Sequence, residues 1–499
     1  MLYESTRGNY RGVTSAEAIK LGIAPDGGLF VPCDRVTIDG QKLQDMIKLD
    51  YRERAFLILK EFLDDYSEGE IRDCLKLAYN TENFASPVIA PVHRLRDGLY
   101  ILELWHGPTC AFKDMALQIL PHLLTRAASK TGEKSAIVIL VATSGDTGKA
   151  ALEGFKNVPG ARIIVFYPEQ GVSEIQKLQM LTQEGNNVAV VAVRGNFDDA
   201  QSGVKNIFAD EAFNLELQKA NYRLSSANSI NWGRLAPQIV YYFSAYLDLA
   251  AQNVIAPGEK INFVVPTGNF GNILAAYYAR EMGLPVHRLI CAANTNNVLT
   301  DFIRTGVYNR SRRFVKTISP SMDILISSNL ERLLYHLTGR DHSRVARWMA
   351  DLHRAGSYQV DEHSRNKMRQ ILWSDYADDK ETLETIRSVH QRYGYIMDTH
   401  TAVGMKVYEK YTGATGDGTK TIVASTASPF KFNESVVKAI LGDQAVADKD
   451  ELELLHVLSE TSGLDIPAGL KDLDRKPVLH KTITDRDSMA GVVKDTLLG

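Results

Sequence analysis

The sequence predicts an α/β protein built on parallel sheets, preceded by a mostly helical region. Three observations predict it. Five short apolar runs, rich in β-branched residues, recur along the chain: Ile137 to Val141, Ile163 to Phe166, Val188 to Val193, Ile261 to Val265 and Thr421 to Ala424. Helix-like segments separate them. Helical spacing, by contrast, dominates the first hundred residues. Continuous apolar runs mark strands covered on both faces, and strand–helix alternation marks parallel crossovers.

The elements follow in order. Residues 1–95 are expected to be mostly helical. Thr14 to Glu17 has capping-box spacing ahead of Ala18 and Ile19. The stretch Tyr51 to Tyr66 puts Phe56, Leu59, Phe62, Leu63 and Tyr66 on one helical face. Pro87 and Pro91 mark a boundary. Residues 96–440 hold the strand runs, with a helical insertion expected at about 328–410, where Leu333, Leu334, Leu337, Met349 and Leu352 stand at helical spacing. The segment 441–499 is charged and mixed, and is expected to pack on the surface. A chain of 499 residues suggests two or three domains, and no repeat points to a solenoid.

A formal net charge of -3, with no basic run, gives no electrostatic reason to expect nucleic acid or membrane as partner. A small-molecule partner is expected instead. Cys33, Cys74, Cys110 and Cys291 lack metal-ligand spacing and are too few for a disulfide framework, so no metal is expected. Met1 to Tyr10 is polar and no apolar stretch is long enough to span a bilayer, so the expected compartment is the cytoplasm.

Ligands in parallel sheets sit past the carboxyl ends of strands, so chemistry is sought in the loops there. Ser144, Gly145, Asp146 and Thr147 follow one run and open a helix, which makes either an anion site or a plain connecting turn. A Walker A reading fails, because Lys149 is followed by Ala150. Gly268, Asn269, Phe270, Gly271 and Asn272 follow another run in the same geometry, and the glycines let a phosphate approach the backbone. Lys113 stands where Gly107-Pro108 gives way to a helix-like run. Positive charge is disfavoured there, so Lys113 is either a solvated lysine or a perturbed amine suited to Schiff-base chemistry. Thr426 lies just past the last run, where a hydroxyl can meet a ring nitrogen or simply cap a turn. Asn231 and Arg234 close a polar stretch that suits phosphate or, equally, a helix cap.

The order of these segments resembles threonine synthase of the longer form. Gly-Pro-Thr-Cys-Ala-Phe-Lys-Asp (107–114), Thr-Ser-Gly-Asp-Thr-Gly (143–148), Ser-Ile-Asn-Trp-Gly-Arg (229–234), Pro-Thr-Gly-Asn-Phe-Gly-Asn-Ile (266–273) and Ser-Thr-Ala (425–427) carry it, together with Tyr3 to Gly8 and Ile318 to Ile324. The resemblance implies a two-domain tryptophan-synthase-β-like fold, the type II fold of pyridoxal-phosphate enzymes, with residues 96–440 forming two subdomains around the cofactor. It implies that Lys113 carries pyridoxal 5'-phosphate and acts as the catalytic base. Gly268, Asn269, Phe270, Gly271 and Asn272 would cradle its phosphate, and Thr426 would face its ring nitrogen. Ser144, Gly145, Asp146 and Thr147 would meet the substrate carboxylate and cofactor oxygen, and Asn231 and Arg234 the substrate phosphate. The implied activity is that of a carbon–oxygen lyase in threonine biosynthesis, turning O-phospho-L-homoserine and water into L-threonine and phosphate. The family often has histidine where Ser428 stands. That departure keeps open a phospholyase releasing a keto acid, and a non-catalytic scaffold is the rival of a different class.

Overall fold

The computed structural model describes all 499 residues. The chain begins with a small antiparallel sheet of β1 (Tyr3–Ser5), β2 (Arg11–Val13) and β3 (Phe30–Pro32), and helices follow. Its opening residues are bound to a distant helix, Leu330–Leu337. Thr6 Oγ1 donates to Glu331 at 2.6 Å, and Arg7 grips the same carboxylate through Nε and Nη2, each at 3.0 Å. A bidentate pair of this kind fixes orientation as well as distance.

A hairpin of β4 (Val92–Arg96) and β5 (Leu99–Glu103) then starts a larger sheet. The chain leaves it to build a smaller one from β6 (Ala136–Ala142), β7 (Ala161–Pro168), β8 (Val188–Val193) and β9 (Tyr222–Ser225). It returns with β10 (Ile261–Pro266) and β11 (Val286–Ala293), makes a two-stranded ribbon of β12 (Val307–Asn309) and β13 (Ser357–Gln359), and completes the larger sheet with β14 (Leu372–Tyr376) and β15 (Thr421–Ser425). The last strand, β16 (Thr482–Thr484), joins the smaller sheet. The orders are β14-β11-β10-β15-β5-β4 and β16-β8-β7-β6-β9, parallel throughout except at β4. Helix Trp232–Ala251, buried along nearly its whole length, packs in the largest apolar cluster, which includes residues of both sheets.

Two strands occupy the topological switch points. β6 lies between β7, which follows it, and β9; β10 lies between β11, which follows it, and β15. Diverging connections leave a crevice above such a strand. Both glycine loops leave these two strands.

Three expectations are corrected. The helix expected over 51–66 ends at Leu59, and Phe62, Leu63 and Tyr66 are buried from a turn, where the Phe62 carbonyl accepts the Tyr3 hydroxyl at 2.7 Å. The block at 328–410 is not purely helical, because β14 within it is an edge of the larger sheet. The tail does more than cover a surface: β16 extends the smaller sheet, and helix Met489–Leu498 buries Met489, Val493 and Leu497 against it.

Candidate active site

The segment after β5 is bound to the segment after β15. The Phe112 N–H donates to the Thr426 carbonyl at 2.8 Å and the Ser428 N–H to the Cys110 carbonyl at 3.0 Å, with Ala111 and Ala427 forming an isolated antiparallel bridge. Lys113 follows at once and precedes a short helix, Asp114–Leu117. Asp114 turns back to accept the Thr109 N–H at 2.8 Å and the Thr109 hydroxyl at 2.7 Å. A side chain at Gly107 would place its Cβ 2.5 Å from Asp114, so the glycine is required for this turn.

The Lys113 side chain is 11 % exposed and its Nζ lies 3.6 Å from Asp146 Oδ2. Burial pushes its amine below the ordinary lysine value; Asp146 opposes that, while Lys431 and Arg234 reinforce it. Asp146 is held well below the usual carboxylate range: burial alone would raise it, but Lys431 and Lys113 prevail.

The first glycine loop is organised by Thr143, whose Oγ1 accepts the Gly145 and Gly148 N–H groups at 3.0 and 2.9 Å. Gly145 has φ 150°, and a Cβ there would come within 2.5 Å of Gln176. The Ser144 N–H donates to no protein group, and the helix Asp146–Phe155 begins beside it. In the second loop, Asn272 Nδ2 closes the turn on the Pro266 carbonyl at 2.8 Å. The Gly268 carbonyl accepts from Ser327 Oγ at 2.7 Å, and the Asn269 carbonyl accepts the Asn329 N–H and Nδ2 at 3.1 and 3.0 Å. With those carbonyls tied down, the N–H groups of Gly268, Asn269 and Phe270 make no hydrogen bond within the protein. Phe270 has φ 62°, a left-handed conformation that costs of order 1–3 kcal/mol for such a residue. Helix Gly271–Glu281 starts here, adding the open end of its dipole.

Ser321 joins the two loops. Its carbonyl lies against Gly268, where a Cβ would meet it at 2.6 Å, and its hydroxyl reaches Asp146 Oδ2 at 3.4 Å. Its N–H donates to His400 Nε2 at 3.1 Å, so that nitrogen is bare and Nδ1 donates to Asp398 at 2.9 Å. Neither Ser321 nor the buried His400–Asp398 pair was picked out from the sequence. Nor was Lys431, whose Nζ lies 2.7 Å from Asp146 Oδ1. Ser321 falls inside the segment Ile318 to Ile324 noted above and Lys431 lies just past Ser428, but no spacing rule marks them.

Lys113, Asp146, Arg234 and the two glycine loops converge, with Thr426 beside Phe112. Two expectations change. The Asn231 amide is largely committed: Oδ1 accepts the Gly233 N–H at 2.8 Å and Nδ2 donates to the Ile19 carbonyl at 2.9 Å. It caps its own helix and docks a neighbouring one, with one Nδ2 hydrogen left over. The Asn272 amide likewise shapes its turn, Nδ2 on the Pro266 carbonyl and Oδ1 on the Ile273 N–H. Arg234 remains available: Nη1 donates to the Ala227 carbonyl at 2.6 Å, its buried Nε has no partner, and burial lowers the group to about 10. A cavity of about 740 Å³ nearby is not lined by Lys113, Asp146 or Thr426; Trp105, Cys110, Lys149 and Ser428 line it. Ser428 caps the turn Pro429–Phe432 and is fully buried.

A lysine amine between two α/β bodies, facing a helix start with free N–H groups, defines the class of pyridoxal-phosphate-dependent enzymes. The family model described as "Pyridoxal-phosphate dependent enzyme" matches residues 75–371, flanked by "Threonine synthase N terminus" at 2–79 and "Threonine synthase, C-terminal" at 401–487. Threonine synthase of Pseudomonas aeruginosa is 39% identical over 443 residues, covering 89% of this chain and 91% of that protein. The structure of pyridoxal-phosphate-bound threonine synthase from Brucella melitensis superposes with a TM-score of 0.89 at 34% identity, over 100% of both chains. The chain belongs to the threonine synthase family. Threonine synthase-like 1 of Macaca fascicularis is 41% identical over 482 residues, and the chain spans 62% of that relative's length.

The residues present fit the cofactor. Its aldehyde needs an uncharged amine, which burial of Lys113 favours. Its phosphate needs converging donors, which the free N–H groups of Gly268, Asn269 and Phe270 would supply. The Thr426 hydroxyl makes no protein hydrogen bond and would be free for the ring nitrogen.

Proposed function

We propose that this protein converts O-phospho-L-homoserine and water into L-threonine and phosphate. One observation carries the reading: a largely buried lysine stands between two anion-receptive loops within a fold shared with threonine synthases. When bound, the cofactor supplies an electron sink conjugated to the substrate nitrogen. Lys113 carries it between turnovers and, as a free amine, takes protons from the substrate Cα and Cβ and returns them at Cγ and Cα. Loss of phosphate from Cγ and addition of water at Cβ complete the balance. The Gly268 loop holds the cofactor phosphate, the Ser144–Thr147 turn receives the substrate carboxylate, and Arg234 receives the departing phosphate. Thr426 is neutral, so it does not hold the ring nitrogen protonated as a carboxylate would. The sink is therefore milder, and the reaction relies more on placed bases and anion binding.

The partner is a small molecule. No helix is long and apolar enough to cross a membrane. Four unpaired cysteines suit a reducing compartment, and we place the reaction in the cytoplasm. The test supplies O-phosphohomoserine to the purified protein. Threonine and phosphate are expected in equal amounts; 2-oxobutyrate and ammonia without threonine would identify a phospholyase and overturn the proposal.

A further inference from the structure

We propose that Lys431 is the fixed counter-charge of Asp146, which leaves Lys113 free to work as a neutral amine. It is a positioning residue that acts through Asp146, and the inference rests on the reading of Lys113 as the cofactor lysine.

The hydrogen-bond accounting separates the two lysines. Lys431 Nζ is ion-paired with Asp146 Oδ1 at 2.7 Å and hydrogen-bonds the Thr109 carbonyl at 3.1 Å and Gln179 Oε1 at 3.3 Å. All three of these neighbours are protein acceptors that hold the ammonium in place. The side chain has no exposed surface, so it cannot swing to a ligand. Asp146 divides its oxygens in the same sense. Oδ1 takes Lys431 and Gln176 Nε2, both at 2.7 Å. Oδ2 faces Lys113 at 3.6 Å and Ser321 Oγ at 3.4 Å, both longer.

Charge counting agrees. Lys431, Asp146 and Lys113 sum to zero when Lys113 is uncharged and to one positive charge when it is protonated. Arg234, on the helix packed beside them, adds a further positive charge, and burial penalises an unbalanced cation. The other titratable groups facing Lys431 are poorly placed to compensate. The Cys110 thiol is pushed up to about 12 by burial, and Asp114, raised by burial to about 6, already accepts both Thr109 donors. Both lysines follow strands of the larger sheet, whereas Asp146 follows β6 of the smaller one. The pair therefore also ties the two bodies together, and a test must distinguish a tie from an electrostatic role.

The test titrates Lys113 itself. The full-length protein, freed of cofactor with hydroxylamine and shown to regain its absorbance with added pyridoxal phosphate, is acylated with trace acetic anhydride across a pH series. The Lys113 peptide is quantified by mass spectrometry. In the native chain the midpoint should fall below the ordinary lysine value of about 10.4. Lys431→Met and Lys431→Gln should raise it by about one pH unit or more, because Asp146 then has only Lys113 to neutralise it. Lys431→Arg should leave it near native, and Asp146→Asn combined with Lys431→Met should remove the rise. A structural tie would lower melting temperature without moving the midpoint. A neutral variant with an unmoved midpoint overturns the inference. If neither neutral variant folds, a native midpoint at or above about 10.4 overturns it instead. Borohydride trapping judges the underlying reading separately: a native holoprotein without an adduct on Lys113 would remove that reading whatever the midpoints show.

Discussion

Asn231 and Arg234 lie three residues apart at one helix start, yet the fold uses them differently. The Asn231 amide is largely committed to the Gly233 N–H and the Ile19 carbonyl, whereas the Arg234 guanidinium keeps a buried, unpartnered Nε. Asn231→Ala should therefore cost stability, about 1–2 kcal/mol for a lost cap and a lost tie. Its KM for phosphohomoserine should stay near native. Arg234→Ala should raise that KM by roughly tenfold or more, since a charged hydrogen bond is worth about 1.5–3 kcal/mol. Inhibition by inorganic phosphate should weaken in parallel. Steady-state kinetics with chemical denaturation separates the two; a KM effect at Asn231 and none at Arg234 would reverse the assignment.

At the scale of elements, the contact between helix Asp146–Phe155 and the short helix after Lys113 matters most. A Cβ on Gly154 would lie 2.0 Å from the Leu117 main-chain carbonyl, which cannot move aside as a side-chain tip can. Gly154→Ala should cost about 3 kcal/mol by overpacking, read as a lower melting temperature and faster loss of cofactor on dialysis. A variant that melts with its parent would show that these helices have slack. The same scale explains what the sequence made legible. The interior strands β6, β7, β8, β10 and β15 are apolar on both faces and stood out as runs. The interior strands β5 and β11 did not, and β11 opens Val-His-Arg. Nor did the outer strands. β9 reads Tyr-Arg-Leu-Ser and β14 Leu-Trp-Ser-Asp-Tyr, because an edge strand is half solvated and polar residues blunt it. Punctuation and chemistry coincide at Lys113 and the glycine loops, which made them candidates, and the order of the segments, resembling one family, singled out Lys113. Lys431 and Ser321 were not legible, because their placement depends on long-range packing that local spacing does not encode.

For the whole molecule, acid is the revealing stress. His336 is half-buried, shares a 2.9 Å hydrogen bond with the Tyr278 hydroxyl, and is pushed down to about 3 by desolvation, with Arg340 and Arg332 beside it. His122 is pushed down to about 4, again by burial, with Arg126 adding to it. An unfolded histidine titrates near 6.5, so the unfolded chain binds more protons than the folded one below that value. Stability from these groups is complete above about pH 6.5 and falls as pH drops toward 3–4. Asp114, raised to about 6, acts in the opposite direction below that value. His336→Gln should flatten the acid limb by about 2 kcal/mol between about pH 7.5 and pH 5. Urea unfolding at both pH values measures it, and parallel losses in variant and parent would exclude His336 as the source. The order of the strands carries a different consequence, for synthesis. The smaller sheet has its first four strands once β9 has emerged, but the larger one, begun with the β4–β5 hairpin, waits for β15, where Leu99 finds Thr421. A ribosome therefore releases the Lys113 turn long before its partners exist, and that turn must stay unaggregated until the chain is nearly finished.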